Sequence, residues 1–231
     1  MSAPFSFAHL SDPHLSSLAA IRPRELASKR ILGYLNWHRR RRHEHKREIL
    51  DALVRDIHAR EPDHTVVTGD LTNLGLPAEC QEVAGWLAAV GEPTRVTVIP
   101  GNHDCYVHAP WEQTLGLWEP YLRGDDCQGL EQAVFPSLRV RDRVAIIGVS
   151  TAVPSRPFLA VGTIGKAQLQ RLEAVLAAAD GEAVGIAGLL SADLATRWDL
   201  RQPVYVAEVD LGDASEPTAP RYEALPRHPA I

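Results

Sequence analysis

Several things are scarce in this chain of 231 residues. Cysteine is confined to Cys80, Cys105 and Cys127, with no Cys-x-x-Cys pair. That excludes a disulfide framework and a thiolate metal site, and it suits a reducing cytosol. No apolar run approaches the roughly 18 residues of a membrane-spanning helix. The first ten residues lack a charged n-region and a long apolar stretch, unlike a secretory signal peptide. Histidine is absent between His108 and His228. Extremes of composition are missing as well. With 45% hydrophobic and 23% charged residues, neither a disordered nor a fibrous chain is indicated. A chain of this length buries a core without staples.

What is present begins with an uneven charge. Residues 1–60 hold 12 Lys+Arg against 6 Asp+Glu, although the whole chain carries −5. The rest of the chain is therefore acidic, and a general nucleic-acid partner is not expected. The basic excess comes from one run, residues 39–47, with Arg39, Arg40, Arg41, Arg42, Lys46 and Arg47. Such runs are usually solvated helix starts. Apolar and aromatic residues at 31–37 precede this one, so it also suits an anionic membrane surface or the pocket of a phosphorylated substrate.

Hydropathy patterning predicts strands over 4–10, 64–68, 95–99 and 144–149, the first of them buried. It predicts helices over 44–60, with Ile49, Leu50, Leu53, Val54 and Ile57 on one face, and over 77–90 and 166–179. Alternating strands and helices indicate an α/β architecture, with chemistry placed past the strand ends.

Three strand ends carry hard-ligand residues: Asp12-x-His14, Gly69-Asp70 and Gly101-Asn102-His103-Asp104. Carboxylate, amide and imidazole donors suit Mn²⁺, Fe or Zn²⁺. The preceding glycines permit sharp turns into a shared crevice, and Asp70, central in the order, is the natural bridge between two ions. Singly, each motif is as well explained by an ordinary turn or a structural histidine. Their joint occurrence after three strands carries the functional reading.

These residues, Asp12-Pro13-His14, Gly69-Asp70-Leu71-Thr72-Asn73 and Gly101-Asn102-His103-Asp104, resemble the calcineurin-like metallophosphoesterase family over about residues 5–179. The resemblance implies a four-layer α/β/β/α sandwich. It implies two divalent ions, with Asp12 and His14 on the first, Asp70 bridging and Asn102 on the second. His103 would stabilise or protonate the leaving oxygen, and Asp104 would orient it. A water activated between the ions would attack phosphorus. The substrate would be a cyclic nucleotide, another phosphodiester or a sugar-nucleotide pyrophosphate, and the protein cytoplasmic or peripheral to the membrane.

The family's later ligands, a histidine after a following strand and a Gly-His-x-His near the end, have no counterpart here. The second ion should therefore be held weakly. Composition changes near residue 180. The segments 185–190, 203–211 and 220–231 resemble part of the phenylalanyl-tRNA synthetase β chain, in its non-catalytic module. This divides the chain into a phosphoesterase domain at 1–179, lacking its C-terminal strands, and an atypical tail at 180–231. A divergent C-terminus with accidental similarity is the alternative. In the tail, 204–209 is the one segment with good strand character. Two functions follow: a metal-dependent phosphoester hydrolase of the phosphodiesterase type, or a non-catalytic chain unable to complete its dinuclear site.

Overall fold

β-branched residues dominate His64-Thr65-Val66-Val67-Thr68, and that run is the middle strand of a three-stranded parallel sheet, a pairing seen in a computed structural model. The order is β1 (Phe7–Leu10), β2 (His64–Thr68), β3 (Val96–Ile99), with Phe7 opposite His64 and Thr65 opposite Val96. The structure describes residues 5–15, 18, 21–26, 28–39, 47–125, 134–141, 144–156, 159, 161–178, 185–189 and 205–209. Of the basic run 39–47, only Arg39 and Arg47 fall within them.

Two helices, α1 (Arg30–Arg39) and α2 (Arg47–Arg60), lie between β1 and β2 in the chain, and α3 (Pro77–Val90) joins β2 to β3. Pro77 at the first helical position fixes the start of α3, whose Val83, Trp86, Leu87 and Val90 are buried. They join Val67, Val96 and Val98 of the sheet and Trp118 in one core. Burying each such side chain fully contributes roughly 1.5–3 kcal/mol. The Trp118 indole N–H is satisfied by the Cys80 carbonyl at 2.8 Å. A short α4 (Glu119–Leu122) adds Tyr121 and Leu122 to this core. Next come the antiparallel pair β4 (Ser137–Arg141) and β5 (Val144–Gly148), and α5 (Lys166–Ala178).

One expectation changes and two are met in part. The first strand is not buried: it lies at the margin of the sheet, with Phe7 64% exposed. On α2 only Val54 and Ile57 are buried, while Ile49 and Leu53 face solvent, so the apolar stripe is wider than the core it meets. The α/β class holds, but the described residues show one parallel sheet and two antiparallel pairs, short of a four-layer sandwich.

By internal packing the chain divides into two units, Met1–Val175 and Leu176–Ile231. The second contains β6 (Gly185–Leu189) and β7 (Tyr205–Val209), an antiparallel pair with Gly185 opposite Val209. The segment at 204–209 is thus not alone in forming a strand: it has a partner within its own unit. The rest of the region resembling a synthetase lies outside the described residues. Among the described residues no helix is long and apolar enough to cross a membrane.

Candidate metal centre

The loops leaving β1 and β2 stay side by side past the sheet. Asp12 N–H donates to Gly69 O at 3.2 Å, His14 N–H to Asp70 O at 3.1 Å, and Leu15 N–H to Leu71 O at 2.9 Å. To run this way the backbone adopts left-handed conformations at Asp12 (φ 54°), His14 (φ 40°) and Asp70 (φ 53°), beside Gly69 (φ 78°). Non-glycine residues there cost roughly 1–2 kcal/mol each, and such strain concentrates at functional sites. The third loop meets the second through two glycines. A Cβ on Gly69 would lie 2.8 Å from the Gly101 Cα, and one on Gly101 would lie 2.2 Å from the Asp70 Oδ1. Only glycine permits this approach, which also lets His103 N–H donate to Asp70 Oδ1 at 2.9 Å.

The result brings donor atoms of His14, Asp70 and His103 within 4.8 Å of one another. Among the described residues this is the group of His, Cys, Asp or Glu able to hold a metal ion. His14 is buried, and the other two are half-buried. Each imidazole is anchored from behind: His14 Nδ1 to the Thr72 carbonyl at 2.8 Å, and His103 Nδ1 to the Asn73 carbonyl at 2.6 Å. A carbonyl only accepts, so Nδ1 carries the proton in both rings and Nε2 carries the lone pair. That is the tautomer a metal-ligating histidine uses when its other nitrogen is held by a carbonyl. The rings meet edge to face at 5.0 Å, and Tyr106 stacks on His103 at 5.6 Å.

Asp12 and Asn102 are placed differently from His14. With Asp70 they line an open cavity of about 390 Å³ at the strand ends, and Asp12 is exposed there, accepting from Ser11 Oγ. Asp70 belongs to both sets. The far wall of the cavity comes from the segment after β5, including Val149, Thr151, Ala152 and Val161. None of the described residues lining the cavity is Lys or Arg.

Asp104, to which the resemblance gives an orienting part, is held by backbone groups. Its carboxylate is 4% exposed and accepts from Gly101 N–H at 2.8 Å, Thr72 N–H at 2.8 Å, Thr72 Oγ1 at 3.0 Å and Leu71 N–H at 3.3 Å. It ties the second loop to the third, and the His103 ring is oriented by Asn73 instead. Burial pushes the Asp104 carboxyl up to about 7, against the pull of these donors. Burial also pushes the nearby thiols of Cys80 and Cys105 up to about 12, so neither is a thiolate at neutral pH.

Sequence reasoning missed Glu79 and Arg30. Glu79, at the third position of α3, is 3% exposed and accepts from the backbone N–H groups of Asn73 (2.7 Å), Leu74 (2.9 Å) and Leu76 (3.0 Å). Burial raises its carboxyl, while those donors and the Arg30 charge lower it. Arg30 donates from Nε to Leu74 O at 3.0 Å and from Nη2 to Gly75 O at 2.7 Å. The available signal was Pro77-x-Glu79: proline at the first helical position and glutamate at the third mark a capped helix start.

The imidazole and carboxylate donors of this group are of the kind that can hold a metal ion. No curated protein matches the chain closely enough to count as a relative. Residues 5–163, by contrast, match the calcineurin-like phosphoesterase family, a span that contains all three loops. With that span covering more than half its length, the chain belongs to the calcineurin-like phosphoesterase family.

Proposed function

We propose that this protein is a metal-dependent phosphoester hydrolase acting on phosphodiesters. The convergence of His14, Asp70 and His103 at the ends of three parallel strands carries the reading. Divalent cations bound there would supply Lewis acidity toward phosphate oxygens and a nucleophile at neutral pH. His14 and Asp70 would hold the first ion with Asp12, and Asn102 would serve a second, more weakly held ion with Asp70 as the shared ligand.

The chain's own residues do the rest. His103 keeps its Nδ1 proton on the Asn73 carbonyl, so Nε2 is the atom it turns to chemistry; in this reading it stands beside the ions and exchanges a proton with a departing oxygen rather than ligating. Thr72 and Asn73 set both imidazoles through consecutive carbonyls. Among the described residues lining the cavity none is Lys or Arg, and part of its wall is apolar. An organic group of a diester would meet the apolar part of this wall, at Val149, Ala152 and Val161.

The test is hydrolysis of bis(p-nitrophenyl) phosphate with added Mn²⁺ and its arrest by EDTA. A folded chain that stays inert across Mn²⁺, Fe²⁺ and Zn²⁺ would favour the non-catalytic alternative, which the absence of histidine between His108 and His228 supports.

A further inference from the structure

We infer that Glu79 is a positioning residue for His14 and His103, acting through the loop at 72–76. This rests on the hydrolase reading above only for its kinetic consequence; the geometry stands without it.

The loop supplies the two carbonyls that fix the imidazoles, Thr72 O for His14 and Asn73 O for His103. It has no regular structure to hold those carbonyls in place, so something else must. Glu79 gathers the N–H groups of Asn73, Leu74 and Leu76 onto its two carboxylate oxygens. Arg30 gathers the carbonyls of Leu74 and Gly75 from the other side. Gly75 (φ 61°) brings the loop against the third strand-end segment, where a Cβ would lie 3.0 Å from Asp104 O and 3.2 Å from His103 O. A buried carboxylate and a half-buried guanidinium thus pin successive peptide groups next to the Asn73 carbonyl.

A cap serving α3 alone would need only the Leu76 N–H. The further bonds to Asn73 and Leu74 lie outside the helix, and they point to the loop as the object. Glutamine at this position offers one acceptor oxygen, too few for three donors on two sides, and its amide N–H groups would face other donors.

The experiment compares the full-length wild type with Glu79→Gln and with Glu82→Gln, an exposed α3 residue that pairs with Arg47. Imidazole ¹⁵N chemical shifts in EDTA report the tautomers without any metal. The wild type and Glu82→Gln should each show a single Nδ1–H tautomer for His14 and for His103. Glu79→Gln should show mixed tautomers at His103, about 10-fold weaker Zn²⁺ binding by calorimetry, and kcat about 10-fold lower with KM within about twofold. A folded Glu79→Gln with wild-type tautomers and Zn²⁺ affinity would overturn the inference. If that variant does not fold, Arg30→Met applies the same test from the carbonyl side, and unchanged tautomers there would overturn it equally. Shifted tautomers in a chain whose wild type hydrolyses no diester would sink the hydrolase reading and leave the positioning inference standing.

Discussion

The two ends of the parallel sheet carry open cavities of similar size and very different character. At the C-terminal end the cavity is about 390 Å³ and contains Asp12, Asp70 and Asn102. At the N-terminal end another of about 440 Å³ mixes apolar residues such as Ile57 and Val90 with His58, Glu61, Glu92 and Arg95. Among the described residues four non-glycines have positive φ: Asp12, His14 and Asp70 belong to the first end, and only Glu61 to the second. The first end has converging donors; among the described residues no such group converges at the second, although its His58 ring also meets a backbone carbonyl, that of Val90, at 3.1 Å. Volume therefore does not separate the two ends. Backbone strain and the convergence of hard donors do.

The sharpest way to break this contrast is chemical. Asp70→Asn should reduce Mn²⁺-dependent diester hydrolysis by at least about 100-fold, because it removes the carboxylate shared by both ligand sets. A change of less than threefold in the rate assay would show that the C-terminal end is not the reaction centre.

Acid sensitivity should come from the opposite end. His64, at the start of β2, is fully buried; its Nε2 meets Thr97 Oγ1 at 2.8 Å and its Nδ1 has no hydrogen-bond partner among the described residues. Burial, helped by the Arg141 and Arg139 charges, lowers it from 6.5 to about 4. The unfolded chain thus binds this proton more readily than the folded one between those pH values. Stability from this group is complete above 6.5 and falls as the pH drops toward 4, by about 3 kcal/mol in all. The raised Asp104 carboxyl works in the opposite sense, so the check is a difference: in urea titrations in EDTA, His64→Val should lose less stability than the wild type between pH 7 and pH 4.

Glycine substitutions compare the two ends sterically. Gly101→Ala places a Cβ 2.2 Å from Asp70 Oδ1 and 2.4 Å from Asp70 N, and should cost about 1–3 kcal/mol along with activity. Gly91→Ala, at the other end, meets only Val96 Cγ2 at 3.3 Å and should cost less than about 1 kcal/mol. Equal losses in denaturant midpoint would contradict the difference drawn here. The smallest effect is a gain: Gly85 lies on the exposed side of α3 with open space around it. Gly85→Ala should stabilise by roughly 0.5–1 kcal/mol with the rate unchanged.

The parts of the site made by local sequence were legible beforehand. β-branched runs ending in glycine announced β2 and β3, and their ends held Asp70, Asn102 and His103 as donors. The parts made by backbone were not. Positive φ at Asp12 and His14 arises because the loop after β1 continues the pairing with the loop after β2, a contact between residues more than fifty apart. The bonds of Asp104 were out of reach for the same reason: the resemblance implied an orienting role, and its carboxylate accepts from main-chain groups of its own loop and of another more than thirty residues away. β4 was missed because Ser137-Leu138-Arg139-Val140-Arg141 alternates apolar with long basic residues. The Arg139 guanidinium is in fact buried, donating to the carbonyls of Arg123, Pro120 and Pro93.

The central claim is that the loops at the C-terminal end of this sheet form a metal centre. An anomalous difference map at the manganese edge, from crystals of the full chain soaked in Mn²⁺, tests it most directly. The account predicts a peak bonded to His14, Asp70 and His103 or Asp12, with any second, weaker peak on the Asn102 side of Asp70. Manganese bound elsewhere, with no density among these residues, would contradict it.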